Sequence, residues 1–206
     1  LVNLSASGAT LDTRALTGTI GSLAGVSGSL VTNYSLNAAG TLVTGFDNTD
    51  TTFSDTFTSP FPAGRLNVTK IGSGTWNLAG DSMASPNIVS GTLTVNQGAV
   101  TLDGAGARLN FIARTLASGG VLNINNATSN LSNRLGSNAA GVAGFYTDIS
   151  TTSANRATNL QGGALNVTGP GSGALQENLG TVNITNGAST LTITPGAGGT
   201  NILNFN

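Results

Sequence analysis

The chain has 206 residues, of which only 7% are charged, and its net charge is −1; an average globular domain carries roughly 25% charged residues. So sparse and balanced a charge gives no nucleic-acid footprint, and the absence of Cys and His excludes disulfide frameworks, thiolate nucleophiles, His-based triads and ordinary zinc sites. No run reaches the ~18 apolar residues of a membrane-spanning helix, and no basic stretch followed by an apolar one marks a signal peptide.

The chain opens on "LVNLS" (1–5), whose apolar–polar alternation predicts a strand. Farther on, Phe46, Phe53, Phe57 and Phe61 form an aromatic run with partly even spacing. The reading preferred for it is an internal stack, because each ring buries a large apolar area; the alternative is an exposed platform for sugar rings. Pro60 and Pro62 predict a corner or lateral loop there. An apolar–polar–apolar triplet then begins to recur: Leu66-Asn67-Val68, Trp76-Asn77-Leu78 after Gly74-Thr75, and Leu93-Thr94-Val95 after Gly91-Thr92. Residues 105–118 are the least strand-like stretch, yet Leu109-Asn110-Phe111 repeats the triplet. It returns at Leu122-Asn123-Ile124, Leu165-Asn166-Val167, Val182-Asn183-Ile184, Leu191-Thr192-Ile193 and Leu203-Asn204-Phe205.

A period of two belongs to a strand with one buried face. The outer members of each triplet are predicted to face a core, and the central Asn or Thr to face water. Helix formers such as Glu, Lys, Gln and Met are scarce. Sandwiches and barrels also consist of short strands, but their strands face unlike neighbours. In a parallel solenoid, successive coils lie about 4.8 Å apart, so like stacks on like and repetition is rewarded. The 30 glycines suit corners that need positive φ. We therefore predict an all-β fold, a parallel β-solenoid occupying 1–206 as a single segment. At about 20–25 residues per coil it would hold roughly eight to ten coils. Both termini read as strands in mid-pattern with neither charge nor cap, so further rungs are predicted to stack on them, either of a longer chain or of identical subunits head to tail.

The stretches "LNVTKIGSGTWNLAGD" (66–81) and "SGTLTVNQGAV" (90–100) resemble the passenger-associated strand repeat of bacterial autotransporters. Leu66, Lys70, Gly72, Gly74, Thr75, Leu78, Gly80, Gly91, Thr92, Leu93 and Val95 fit its pattern; Trp76 replaces an aliphatic residue, and "SMASPNIVS" (82–90) departs from the usual Tyr-containing connection. The segments 16–31, 47–57 and 132–140 resemble the flanks of such repeats in large surface proteins of Gram-negative bacteria. What the resemblance implies is a right-handed parallel β-helix, exported to the bacterial cell surface and associated with the outer membrane, serving as an adhesin, a stalk or a matrix component. Its partners would be adjacent rungs, and glycans or host and cell-surface components. The repeat brings no catalytic residues with it.

The expectation is therefore a non-enzymatic structural segment without cofactor. The alternative is a carbohydrate-binding or polysaccharide-degrading β-helix, with paired carboxylates such as Asp81 and Asp103, or Asp47 and Asp50. One metal reading exists: Asp47, Asp50 and Asp55 fall within nine residues and could form an oxygen cage for Ca²⁺. Against it stand Asx-type turn bonds and the absence of the glycine-rich nonapeptide. Arg14, Arg65, Lys70, Arg108, Arg114, Arg134 and Arg156 never cluster, and they are expected to be isolated and solvated. Residues 125–160, the longest interval without a triplet, are either a lateral excursion or one or two degenerate rungs. Arg134, Tyr146, Asp148 and Arg156 lie there, where a partner contact is expected if the interval leaves the rod.

Overall fold

The structure, a computed structural model, describes residues 1–61, 63–80, 91–109, 113–135 and 157–205. Three parallel sheets run along it. The first stacks β1 (Val2–Leu4), β4 (Leu23–Gly25), β7 (Thr51–Phe53), β10 (Thr75–Leu78), β12 (Gly98–Leu102), β14 (Gly120–Asn125), β16 (Ala164–Thr168) and β18 (Thr190–Thr194) in that order. The second stacks β3 (Thr17–Thr19), β6 (Gly40–Thr44), β9 (Leu66–Lys70), β11 (Thr92–Val95), β13 (Ala113–Ala117), β15 (Ala157–Gln161), β17 (Gly173–Asn186) and β19 (Gly199–Phe205). A shorter third sheet, β2 (Thr10–Asp12), β5 (Leu30–Thr32) and β8 (Thr56–Thr58), closes the first coils. Consecutive strands alternate between sheets and every strand after β3 pairs in parallel with one from the coil before, which is a β-solenoid of about seven stacked turns.

The alternation explains why these residues form these strands. On the first sheet Leu122-Asn123-Ile124 stands on Leu165-Asn166-Val167, which stands on Leu191-Thr192-Ile193. Leu122, Ile124, Leu165 and Val167 are buried, and each such side chain contributes roughly 1.5–3 kcal/mol. Leu93 and Val95 are buried likewise on the second sheet. The central residues bond to one another along the outside: Asn166 Nδ2 donates to Asn123 Oδ1 at 3.0 Å, and Asn123 Nδ2 to Thr101 Oγ1 at 3.1 Å. The expected internal aromatic stack exists in part. Phe53 and Phe57 lie 5.1 Å apart and Phe57 meets Trp76 edge-on at 5.7 Å, all three buried. Phe46, by contrast, is 71% exposed, and Phe61 packs instead against Tyr34.

Two expectations need correction. The phrases at 74–78 and 91–95 are not stacked on each other. The first is β10, over β12; the second is β11, between β9 and β13. The short spacing in sequence steps from one sheet to the next within a coil. Bonded side chains on neighbouring strands are mostly 22, 24, 25 and 26 positions apart, close to the spacing predicted, but the step from Asn123 to Asn166 takes 43, and the turns number about seven, fewer than the eight to ten predicted.

The glycines also act in a second way. Gly72 and Gly98 have positive φ (71° and 67°), as corners require. Gly91 does not; a Cβ there would land on the carbonyl oxygen of Leu66 in the coil below. Gly91→Ala must push two coils apart, and we expect it to cost about 1–3 kcal/mol, read as a lower urea midpoint. An unchanged midpoint would show that this approach is slack.

Candidate functional site

Charge in this rod lies mostly at corners or inside. Asp47 Oδ2 accepts a hydrogen bond from Ser22 Oγ at 2.8 Å, and Asp47 Oδ1 accepts from Thr49 Oγ1 at 2.8 Å. Desolvation pushes the Asp47 carboxyl up, but the bonds from Thr49 and Ser22 outweigh it and hold the group at about 2. Asp50 Oδ1 accepts from the Thr75 backbone N–H at 2.6 Å, and Asp55 Oδ2 accepts from that of Gly28. The three carboxylates thus bond to different partners, in part the Asx-type role that opposes the calcium reading. Among the described residues, no three Asp or Glu side chains gather as a metal ligand set. Asp81, and with it the pairing of Asp81 and Asp103, lies outside the described residues. Asp103 Oδ1 accepts from Thr128 Oγ1 at 3.0 Å.

Three cations expected to be solvated are buried: Lys70, Arg114 and Arg134. Lys70 ends β9 on the inward parity set by Leu66 and Val68. Its Nζ donates to the carbonyls of Ile71 at 2.6 Å and Gly72 at 2.8 Å, filling the corner where the chain turns away. Burial pushes its pKa down, against the fields of Asp50 and Asp47, which raise it.

A dense polar cluster among the described residues surrounds Arg134, the one candidate contact residue in 125–160 that is described; Tyr146, Asp148 and Arg156 lie outside the described residues. Arg134 faces inward, not toward a partner, with no exposed surface. Its guanidinium donates to Gly104 O at 2.8 Å, Ala107 O at 2.9 Å, Ser129 O at 3.0 Å and Asn126 Oδ1 at 2.9 Å. The adjacent backbone is held as firmly. The N–H of Arg134 donates to Glu177 Oε2 at 2.9 Å, and the N–H of Leu135 to Glu177 Oε1 at 2.8 Å. Glu177 sits between the buried Leu175 and Leu179 on β17. Burial pushes its carboxyl up to about 7, although the N–H groups of Leu135 and Arg134 and the charges of Arg114 and Arg134 all pull it down. Arg114 completes the cluster from β13: Nε donates to Thr158 Oγ1 at 3.2 Å and Nη1 to Leu135 O at 2.9 Å.

This clasp ties residues 126–135 to the coil before and to β17 after. Its charged members are sealed from solvent, so its chemistry is directed at backbone groups and not at a dissolved substrate. Sequence reasoning missed it because charged residues are expected outside. Parity was the available signal: Arg114 shares the inward phase of Leu116, and Glu177 that of Leu175 and Leu179.

In comparisons with known proteins, no family model, no curated protein and no solved structure matches this chain.

Proposed function

We propose that this chain is a structural segment of a secreted bacterial cell-surface fibre, a stalk of the kind made from autotransporter passenger repeats. The observation that carries the reading is the continuous parallel ladder. Two sheets, each eight strands deep, share one core, and their strands present no charged side chain to solvent: Lys70, Arg114 and Glu177 are all turned in. Such a ladder resists bending and proteolysis, because no coil opens without breaking pairs on both sides. The motif at 66–80 and 91–95 supports the same reading. Its Lys70 fills a corner, its Gly72 turns one, and its Leu66, Leu78, Leu93 and Val95 line the core.

The partners of such a stalk are further rungs, of the same chain or of identical subunits. β18 and β19 leave Ile193 47%, Ile202 45% and Phe205 54% exposed beside unpaired strand edges, a surface that natural proteins ordinarily cover.

The test is location. Antibodies raised against residues 1–206 are expected to label intact cells of the producing bacterium, and brief protease treatment of those cells is expected to release the antigen. Labelling seen only after permeabilisation would overturn the reading. For self-stacking, the sedimentation coefficient of the purified chain should rise with concentration and cease to do so in Ile193→Lys.

A further inference from the structure

We propose that the outer face of the second sheet, over β6 to β13, is an ice-binding surface. Each strand there presents a pair of outward side chains separated by one inward residue, and β13 adds a third, Ala117. In the middle of the face the pairs are Asn67 and Thr69 on β9, Thr92 and Thr94 on β11, and Ala113 and Thr115 on β13, all of them partly exposed. The register carries these pairs from strand to strand without a shift, so that Thr69, Thr94 and Thr115 form one file and Asn67, Thr92 and Ala113 the other. Strands lie about 4.8 Å apart, and outward positions on one strand about 6.7 Å apart. The result is a two-dimensional grid of threonine hydroxyl and methyl groups, with a methyl at Ala113 and one amide at Asn67.

The grid is stiff. Threonine is restricted at χ1 by its branched Cβ. Thr92 is further held by Asn67, whose Oδ1 accepts from both the N–H and the Oγ1 of Thr92, at 3.1 and 3.2 Å. The charge distribution is an independent observation pointing the same way. The strands of this face carry two cations, Lys70 and Arg114, and both are turned inward and buried, leaving the outer surface neutral. An ion on the surface would impose its own hydration shell. A neutral lattice of hydroxyls and methyls lets the first water layer take the protein's spacing, and the oxygen lattice of ice repeats at distances close to both of these. Because the groups are already fixed, ordering that layer requires little further loss of side-chain freedom. Among the described residues β6, β9, β11 and β13 carry no aromatic ring on this face, so a crystalline polysaccharide would find no stacking platform on these strands. The first sheet differs: its central Thr101, Asn123 and Asn166 are bonded to one another and flanked by Ala99, Val121 and Ala164.

This inference stands on the face alone and is independent of the stalk reading. The purified chain should shape a single ice crystal into facets, open a gap between melting and growth temperatures, and slow recrystallisation in frozen sucrose. Thr94→Lys should abolish all three, Thr94→Val should retain part of them, and Ala99→Lys on the first sheet should leave them intact, each variant showing the wild-type β circular-dichroism spectrum. Ice growth no different from that with an inert protein of equal size would overturn the proposal, as would equal loss in Ala99→Lys. Retention on insoluble cellulose or chitin that is sensitive to Thr94→Lys, without any effect on ice, would also overturn it and assign the face to a polysaccharide.

Discussion

Arg134→Met should lower the unfolding free energy by about 3–5 kcal/mol, the range for breaking a buried charged network by removing one member. Methionine has similar reach but no donor. Four acceptors would lose the guanidinium at once: the carbonyls of Gly104, Ala107 and Ser129, and Asn126 Oδ1, of which Gly104 O and Asn126 Oδ1 keep the backbone N–H groups of Ala107 and Leu131. A buried acceptor left unsatisfied costs about 1–3 kcal/mol, and water entering the gap recovers some of that. Glu177 would also lose one of the two positive charges that favour its ionised form. Arg134→Lys should fall between, since a single ammonium cannot reproduce the spread of a planar guanidinium. Arg65, whose side chain is exposed, supplies the comparison: Arg65→Met should stay within about 0.5 kcal/mol of wild type. Urea unfolding of the three variants measures this directly. Similar midpoints for Arg134→Met and Arg65→Met would mean that the clasp does not hold the coils.

The second large effect depends on pH. The Glu177 carboxyl is raised from 4.5 to about 7 in the folded chain. The folded state therefore holds this proton more tightly than the unfolded state. The associated stability is fully present below about pH 4.5 and is lost as pH rises through about 7, after which the dependence is flat. The span corresponds to about 3 kcal/mol at 1.36 kcal/mol per pH unit. Glu177→Gln should remove the slope. Its amide accepts from only one of the N–H groups of Arg134 and Leu135, so the variant should be weaker than wild type at pH 4.5 and should approach or overtake it by pH 8. Parallel profiles for the two proteins would show that Glu177 titrates normally. Asp47 works in the opposite direction. Its pKa is lowered to about 2, so its contribution is present above the normal carboxylate range and fades as pH falls toward 2.

How much of this was legible follows from what repeats and what does not. The inward phase of Leu93, Val95, Leu165 and Val167 is visible in the sequence, because a period of two assigns faces without knowledge of neighbours, and all four are buried. Which phrase stacks on which was not visible. Both long sheets use the same pattern, so Trp76-Asn77-Leu78 and Leu93-Thr94-Val95 look like successive rungs while belonging to different sheets. The buried cations were hidden by their type, although Lys70 and Arg114 stand in the inward phase of their strands. Arg134 lies outside any strand, where no parity exists; only the fold brings Gly104, Asn126 and Glu177 to it. The three clustered aspartates illustrate the converse. Proximity in sequence suggested convergence, but each is drawn to different partners, in two cases backbone N–H groups of neighbouring coils.

The spacing of stacked asparagines has an architectural consequence. Thr101 to Asn123 spans 22 positions and Asn123 to Asn166 spans 43, yet both pairs close the same kind of hydrogen bond in the same file. The scaffold is indifferent to how much polypeptide is spent between two strands, provided the next strand arrives in phase. The part of the chain between Leu135 and Ala157, which follows the clasp residues, is therefore a natural grafting point. Foreign cargo spliced there, whether an epitope, an enzyme or a fluorescent reporter, would hang from the side of the shaft while the hydrogen-bonded column beneath it stays intact.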